Sequence, residues 1–308
     1  MLVFLFLIVI CFREISFAEN GTPTISPSQQ SKPVPFLMVA PSFPPSAEME
    51  ALEDLYQSTN GEDWEWKNLS YGVIWEFDSN INRNPCNSSA LWQGIRCNST
   101  DSYTTITELQ LSNYSLLGEL PSTLGILSNL TIFNLSNNSL KGSIPTQVGL
   151  MTQMKSLFLM NNQLNGSIPT EVGSMIDIGY LFLYNNTLEG SIPTELGLLT
   201  NMRNLNLHDN RLNGSLPSQI GKITALEILS LQSNYITGII PTELGLLTNM
   251  NVCYINYNQI SGPIPSQLGL LNKLTIFSAY NNFLSAAIPT EIGMLNRIKL
   301  VNQNQRSE

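Results

Sequence analysis

Residues 130–153 read LTIFNLSNNSLKGSIPTQVGLMTQ, and residues 154–177 read MKSLFLMNNQLNGSIPTEVGSMID. The second stretch repeats the first place for place. The same 24-residue frame reaches back to Ile106 and on to Arg297 without insertion or deletion, which makes eight units. A fixed period of this length signals a stack of coils. With each unit numbered from its first apolar residue, apolar side chains recur at places 1, 4, 6, 11, 15, 19 and 22. In the second unit these are Leu130, Phe133, Leu135, Leu140, Ile144, Val148 and Met151. Alternation at places 4 and 6 is a strand signal, with places 3, 5 and 7 facing the other way. Place 9 is Asn in seven units, from Asn138 to Asn282. A buried amide both donates and accepts, so stacked asparagines can satisfy the backbone where the chain bends. Place 13 is Gly from Gly118 to Gly262, place 16 is Pro from Pro121 to Pro289, and place 20 is Gly from Gly125 to Gly293. These residues allow or fix turns. Each coil therefore reads as short strand, Asn-stapled turn, Gly-Pro turn and brief helical return. One coil cannot cover its own flat faces, so its stability depends on neighbours.

The pattern LxxLxLxxNxLxGxIPxxLGxLxx closely resembles the plant-type leucine-rich repeat, over residues 106–297. The resemblance implies an α/β solenoid: a right-handed superhelix with a parallel, concave β-sheet and short 3-10 or helical turns on the convex side. It also implies a protein- or peptide-binding role outside the cell.

Upstream, MLVFLFLIVICF is apolar but too short to span a bilayer. Ser16, Phe17 and Ala18 fit a small-x-small cleavage site, so residues 1–18 read as a secretory signal peptide. The lack of Lys or Arg at its start keeps an uncleaved anchor open as the alternative. No other run approaches transmembrane length. No kinase-like stretch follows Arg297, so the expectation is a chain that is not itself a receptor kinase. Residues 19–46, rich in Pro, Ser, Thr and Gln, read as a linker.

Residues 47–105 read as a cap. A helical pattern starts near Ser46, with Met49, Leu52, Leu55 and Tyr56 on one face, and ends at Thr59-Asn60-Gly61. Trp64, Trp66 and Trp75 follow, then Pro85-Cys86 and Trp92-Gln93-Gly94-Ile95-Arg96-Cys97. This arrangement resembles the N-terminal cap of receptor-like leucine-rich repeat ectodomains of plants and algae. The resemblance, with an oxidising compartment, implies a Cys86–Cys97 disulfide. Cys253, at place 4 of its unit, reads as a buried free thiol. Residues 298–308 read as a partial ninth repeat, with Val301 at place 4, and a polar tail.

The formal net charge is -9 at pH 7. Acidic residues gather in the cap and at place 18 (Glu171, Glu195, Glu243, Glu291). No basic patch is present, which argues against nucleic acid. Sequons stand at Asn20, Asn68, Asn87, Asn98, Asn113, Asn129, Asn134, Asn137, Asn165, Asn185 and Asn213. Those expected to carry glycans are Asn68, Asn87, Asn98, Asn113, Asn134 and Asn165. His208, beside Asp209, is the one histidine. No nucleophile elbow, metal-spaced His/Cys set or phosphate-cradling Gly loop accompanies it, so no catalytic residue, metal or cofactor is expected.

Places 3, 5 and 7 point out of the sheet, with place 8 at its edge, and the framework leaves them free. One aromatic patch is expected from Phe158, Met160, Tyr180, Phe182 and Tyr184, and another from Tyr254, Tyr257 and Tyr280. Between them lie Asn204, Asn206, His208, Asp209, Ile228, Ser230 and Gln232. Exposed aromatics of this size point to a partner, although ladders of rings also stabilise sheets. Phe158, Met160, Tyr180, Phe182, Tyr184, Asn206, His208, Tyr254, Tyr257 and Tyr280 are the expected ligand contacts. The favoured function is extracellular, non-catalytic recognition of a peptide, protein or glycan, with a possible membrane co-receptor. Two alternatives stand beside it. One is inhibition of an extracellular polysaccharide-degrading enzyme through the strip Arg203–Arg211. The other is a structural or ice-adhering role through the place-17 threonines (Thr146, Thr170, Thr194, Thr242, Thr290).

Overall fold

Seven apolar places in 24 give each coil an inside, and the structure closes it. In the third coil Met154, Leu157, Leu159, Leu164, Ile168, Val172 and Met175 are all buried. The computed structural model describes residues 46–77, 84–99, 104–295 and 299–301. The expected signal peptide, nearly all of the linker and the polar tail from residue 302 lie outside them.

Each coil contributes one three-residue strand centred on place 4. Strands Ile132–Asn134, Ser156–Phe158, Tyr180–Phe182, Asn204–Asn206, Ile228–Ser230, Val252–Tyr254 and Ile276–Ser278 pair in parallel, each residue with its equivalent 24 positions on. At one edge Thr104–Gln110 joins them and pairs antiparallel with cap strand Ile95–Ser99. At the other edge Lys299–Val301 pairs with Ile276–Ser278, and Leu300 sits opposite Phe277. The expected frame put Val301 at place 4. Leu300 follows Phe277 by 23 residues where the period is 24, so Leu300 and not Val301 takes the place-4 register. The result is a ten-stranded sheet.

Place 9 does what stacked amides allow. Asn210 Oδ1 accepts the Leu188 N–H at 3.0 Å, and its Nδ2 donates to the carbonyls of Leu183 and Leu207, each at 3.1 Å. The same bonds recur along the stack to Asn282. Every amide thus ties its own coil to the one before it.

The two glycine places work differently. Place 13 is a left-handed turn, with φ between 67° and 78° from Gly142 to Gly262. Ala286 holds that conformation in the last full coil at φ 67°. Place 20 needs no unusual backbone angle. A Cβ added at Gly149 would sit 2.5 Å from the Glu171 carbonyl oxygen of the next coil. Glycine there lets the return segments touch. Those returns are 3-10 turns at places 17–21, such as Thr146–Leu150. One α-helix, Ser46–Ser58, is found among the described residues.

That helix is the cap. It buries Ala51, Leu52 and Leu55. Beside it, Trp64, Trp75 and Trp92 pack ring on ring, with Trp64–Trp75 centroids 5.1 Å and Trp75–Trp92 5.5 Å apart. Cys86 and Cys97 form the expected disulfide, their Cα atoms 5.7 Å apart. Glu48 is buried where the helix meets the first coil. The Thr105 hydroxyl and the Ile106 N–H both donate to its carboxylate, at 2.6 and 3.2 Å. Burial outweighs these bonds and raises its pKa above 4.5. Cys253 is a free, fully buried thiol, pushed up to about 12 by burial, and so an inert filler of its core place.

Candidate ligand-binding face

The outer side of the ten-stranded sheet collects the residues that the repeat leaves free. Phe158 and Phe182 sit on paired strands with ring centroids 5.0 Å apart. Phe182 also meets Tyr180 and Tyr184, each at 6.3 Å. Tyr184 stacks on His208 at 4.4 Å with only 16° between the planes. Asp209 holds that imidazole through Nδ1 at 2.7 Å. The first patch is therefore one connected surface over coils 3 to 5, half-buried except for the more exposed Tyr180. Met160 is half-buried one place from it.

The second patch is looser. Tyr257 and Tyr280 meet edge to face at 5.1 Å. Burial and the neighbouring Tyr257 phenol raise the Tyr280 pKa above its usual value. Tyr254 stands apart, paired in register between Ser230 and Ser278.

Two expectations about this face need correction. Outward places are not uniformly exposed: Ser230, Ser278 and Asn256 are all buried. Ser230 and Ser278 lie in register on either side of Tyr254. The strip Arg203–Arg211 is not one strip. Arg203 is paired with Glu227 at 3.0 Å, and Arg211 belongs to strand Arg211–Asn213, in a separate sheet with Glu189–Ser191. The place-17 threonines lie on the 3-10 returns and not on this face; Thr146 donates to Gln147 at 3.4 Å. Thr170, Thr194, Thr242 and Thr290 each donate to the following glutamate at 3.1–3.3 Å.

Sequence reasoning missed two features. Every place-8 residue is left-handed, with φ from 52° to 61° in all eight coils. Asn or Asp stands at six of them, the residue types that tolerate this conformation, and that bias was the signal to read. The second feature is a cleft of about 530 Å³ where cap loops overhang the first two strands. Lys67, Arg96, Gln110, Ser112, Tyr114 and Asn134 are among its walls. Lys67 lies over the Tyr114 ring, 4.9 Å from its centroid, and Arg96 pairs with Glu108 at 3.4 Å. It arises between cap and coil, which no repeat pattern encodes.

Of the expected glycan sites, Asn68, Asn98, Asn113 and Asn165 are exposed, and Asn87 and Asn134 are partly so. Asn134 lies on the outer face, where its Oδ1 accepts from Ser136 N and Oγ at 3.1 and 2.7 Å.

No helix among the described residues is long and apolar enough to cross a membrane. The Leucine Rich Repeat family description matches residues 129–151, 201–223 and 225–247. Comparison with curated proteins finds no match. Among solved structures, the plant peptide hormone receptor RGFR1 in complex with RGF2 is 36% identical with a TM-score of 0.61. The match covers 62% of this chain and 31% of the receptor chain. The ectodomain of the plant membrane receptor kinase GASSHO1/SCHENGEN3 from Arabidopsis thaliana, in complex with CASPARIAN STRIP INTEGRITY FACTOR 2, is 34% identical with a TM-score of 0.67. That match covers 76% of this chain and 28% of the other. This chain thus spans less than a third of the length of these receptor chains. A plant ice-binding protein, 22% identical with a TM-score of 0.57 over 80% of this chain and 90% of that one, shares the fold alone. The in-register coils, the asparagine ties between them and these likenesses together show a leucine-rich repeat solenoid similar to the ectodomains of plant leucine-rich repeat receptors.

Proposed function

We propose that this is an extracellular, non-catalytic recognition protein that holds an extended peptide, protein segment or glycan along the outer face of its sheet. One observation carries the reading. The connected cluster Phe158, Phe182, Tyr184 and His208 occupies the side that the framework does not need, while the inner side is already closed by the seven apolar places. Rings bring large contact area at low entropic cost, and a solenoid sheet presents them as one surface. The two receptor structures, solved with bound RGF2 and CASPARIAN STRIP INTEGRITY FACTOR 2, lend the same direction. A location outside the cell is supported by the Cys86–Cys97 disulfide and by sequons at exposed asparagines. A membrane co-receptor sharing the bound ligand fits this reading.

The inhibitor reading loses its basis with the split of Arg203 from Arg211. The ice-adhering reading has less support, because four of the five place-17 threonines donate to the glutamate beside them and Thr146 donates to Gln147.

The test is capture from native extracellular medium by the wild type, Phe182→Ala and Tyr254→Ala. The expected result is loss of the captured partner by about tenfold or more in both variants, with both still folded at the capture temperature. Equal capture by all three proteins rejects the proposal.

A further inference from the structure

Place 8 is left-handed in every coil, and its side chain is usually asparagine. Asn161 Nδ2 donates to Asn137 Oδ1 at 2.5 Å, and Asn185 Nδ2 to Asn161 Oδ1 at 2.8 Å, so the residue type serves both the backbone and the neighbouring coil. Tyr257 breaks this rule. It holds φ 54° with a bulky ring and is 50% exposed. A large side chain adopts that conformation only at a cost to the fold, and such residues persist where the surroundings or a function require them. Burial does not require this one.

A second cost lies next to it. Asn256 is 5% exposed, yet its Oδ1 has no hydrogen-bond partner among the described residues. Gln232 Oε1, one coil earlier at the same place, is also unpaired among them, as are Asn204 Oδ1 and Asn206 Oδ1 one coil further back. Buried polar atoms are nearly always paired, so each exception asks for a reason. Rotation of an amide about its last bond would turn its oxygen to the surface, where an incoming donor could meet it.

The charge pattern narrows the ligand. Places 3, 5, 7 and 8 of coils 6 to 8 carry no ionisable acid or base other than tyrosine. The first patch differs, since His208 and Asp209 end it. What sits over coils 6 to 8 is therefore neutral. It must offer a flat apolar face to the Tyr257 and Tyr280 rings and hydroxyl or amide donors to Asn256 and Gln232. A sugar ring combines these: C–H bonds on its faces and hydroxyls around its rim.

We propose that Tyr257, with Tyr280, Asn256 and Gln232, forms a subsite for a neutral sugar ring, and that the fold gives up stability to keep tyrosine there. This deepens the recognition reading by naming the chemistry at one end of the same face.

Tyr257→Asn restores the residue type of the other coils. The probes are cellohexaose, chitohexaose and mannohexaose, titrated into the full-length secreted protein and followed by calorimetry, with melting recorded on the same samples. The expected result has two parts. At least one oligosaccharide binds saturably at millimolar concentration and loses that binding in Tyr257→Asn, and the variant melts at a higher temperature than the wild type. Tyr257→Phe, which keeps the ring, retains the binding. No saturable binding by any of the three overturns the proposal, and so does a lower melting temperature in Tyr257→Asn, which would make the ring a packing element. These outcomes read coils 6 to 8 alone. The capture test with Phe182→Ala succeeds or fails independently of them.

Discussion

The two sides of one sheet obey different rules. On the inner side, Leu157, Leu181, Leu205 and Leu229 occupy the same place in successive coils, are fully buried, and could exchange positions without consequence. On the outer side, one residue further along each strand, the same coils carry Phe158, Phe182, Asn206 and Ser230. Stacking demands the first set, because every coil must bury its flat faces on its neighbours. Nothing in stacking demands the second. Tyr257, on this second side, holds a left-handed φ of 54° with a ring that is half exposed.

The largest break in this comparison should come from the inner side. Asn210→Ala removes the acceptor for the Leu188 N–H and the donor to the carbonyls of Leu183 and Leu207. Three buried backbone groups at about 1–3 kcal/mol each predict a loss of about 3 kcal/mol or more. Urea unfolding measures it. A loss of only a few tenths would mean that the asparagine ties are incidental.

A smaller effect sharpens the account at the cap. Burial raises the Glu48 pKa above 4.5, so the folded state favours the protonated acid. The stability this lends is fully present below pH 4.5 and is lost as pH rises through the folded-state value. Glu48→Gln stays uncharged and escapes that loss. Relative to the wild type it should gain on the order of 1 kcal/mol or less toward neutral pH, and no advantage should remain in acid. Unfolding curves from about pH 4 to about pH 7 check the sign. A constant difference across that range would place the carboxylate in a neutral role.

Much of this was legible beforehand, for a physical reason. The inner places repeat because one constraint acts on every coil, so Leu157 announces Leu181, and the fold follows from the period. The capping helix and the first aromatic patch follow from residues that stand out locally, and the disulfide follows from the resemblance of the cap. What escaped was set between coils. Gly149 looked like a turn residue, but its role is to admit the Glu171 carbonyl of the next coil. Arg203 and Arg211 looked adjacent, yet the chain turns between them into another sheet. Ser230, Asn256 and Ser278 looked exposed by place alone, yet all three are buried. The left-handed place 8 was visible as an asparagine bias, but its meaning appears only with a backbone angle in hand.

The separation of framework from recognition can be tested within one strand, Tyr180–Phe182. Leu181 points inward and is fully buried; Phe182 points outward into the aromatic cluster. The measurement is partner affinity at low temperature together with the melting temperature, for Leu181→Ala and Phe182→Ala. The account predicts that Leu181→Ala loses about 2–5 kcal/mol of stability and keeps its partner below the melting range, whereas Phe182→Ala loses distinctly less stability, about 1–2 kcal/mol from its ring contacts, and loses the partner. If both variants lose the partner, or both lose stability equally, the two sides of the sheet are not separable and the account is wrong.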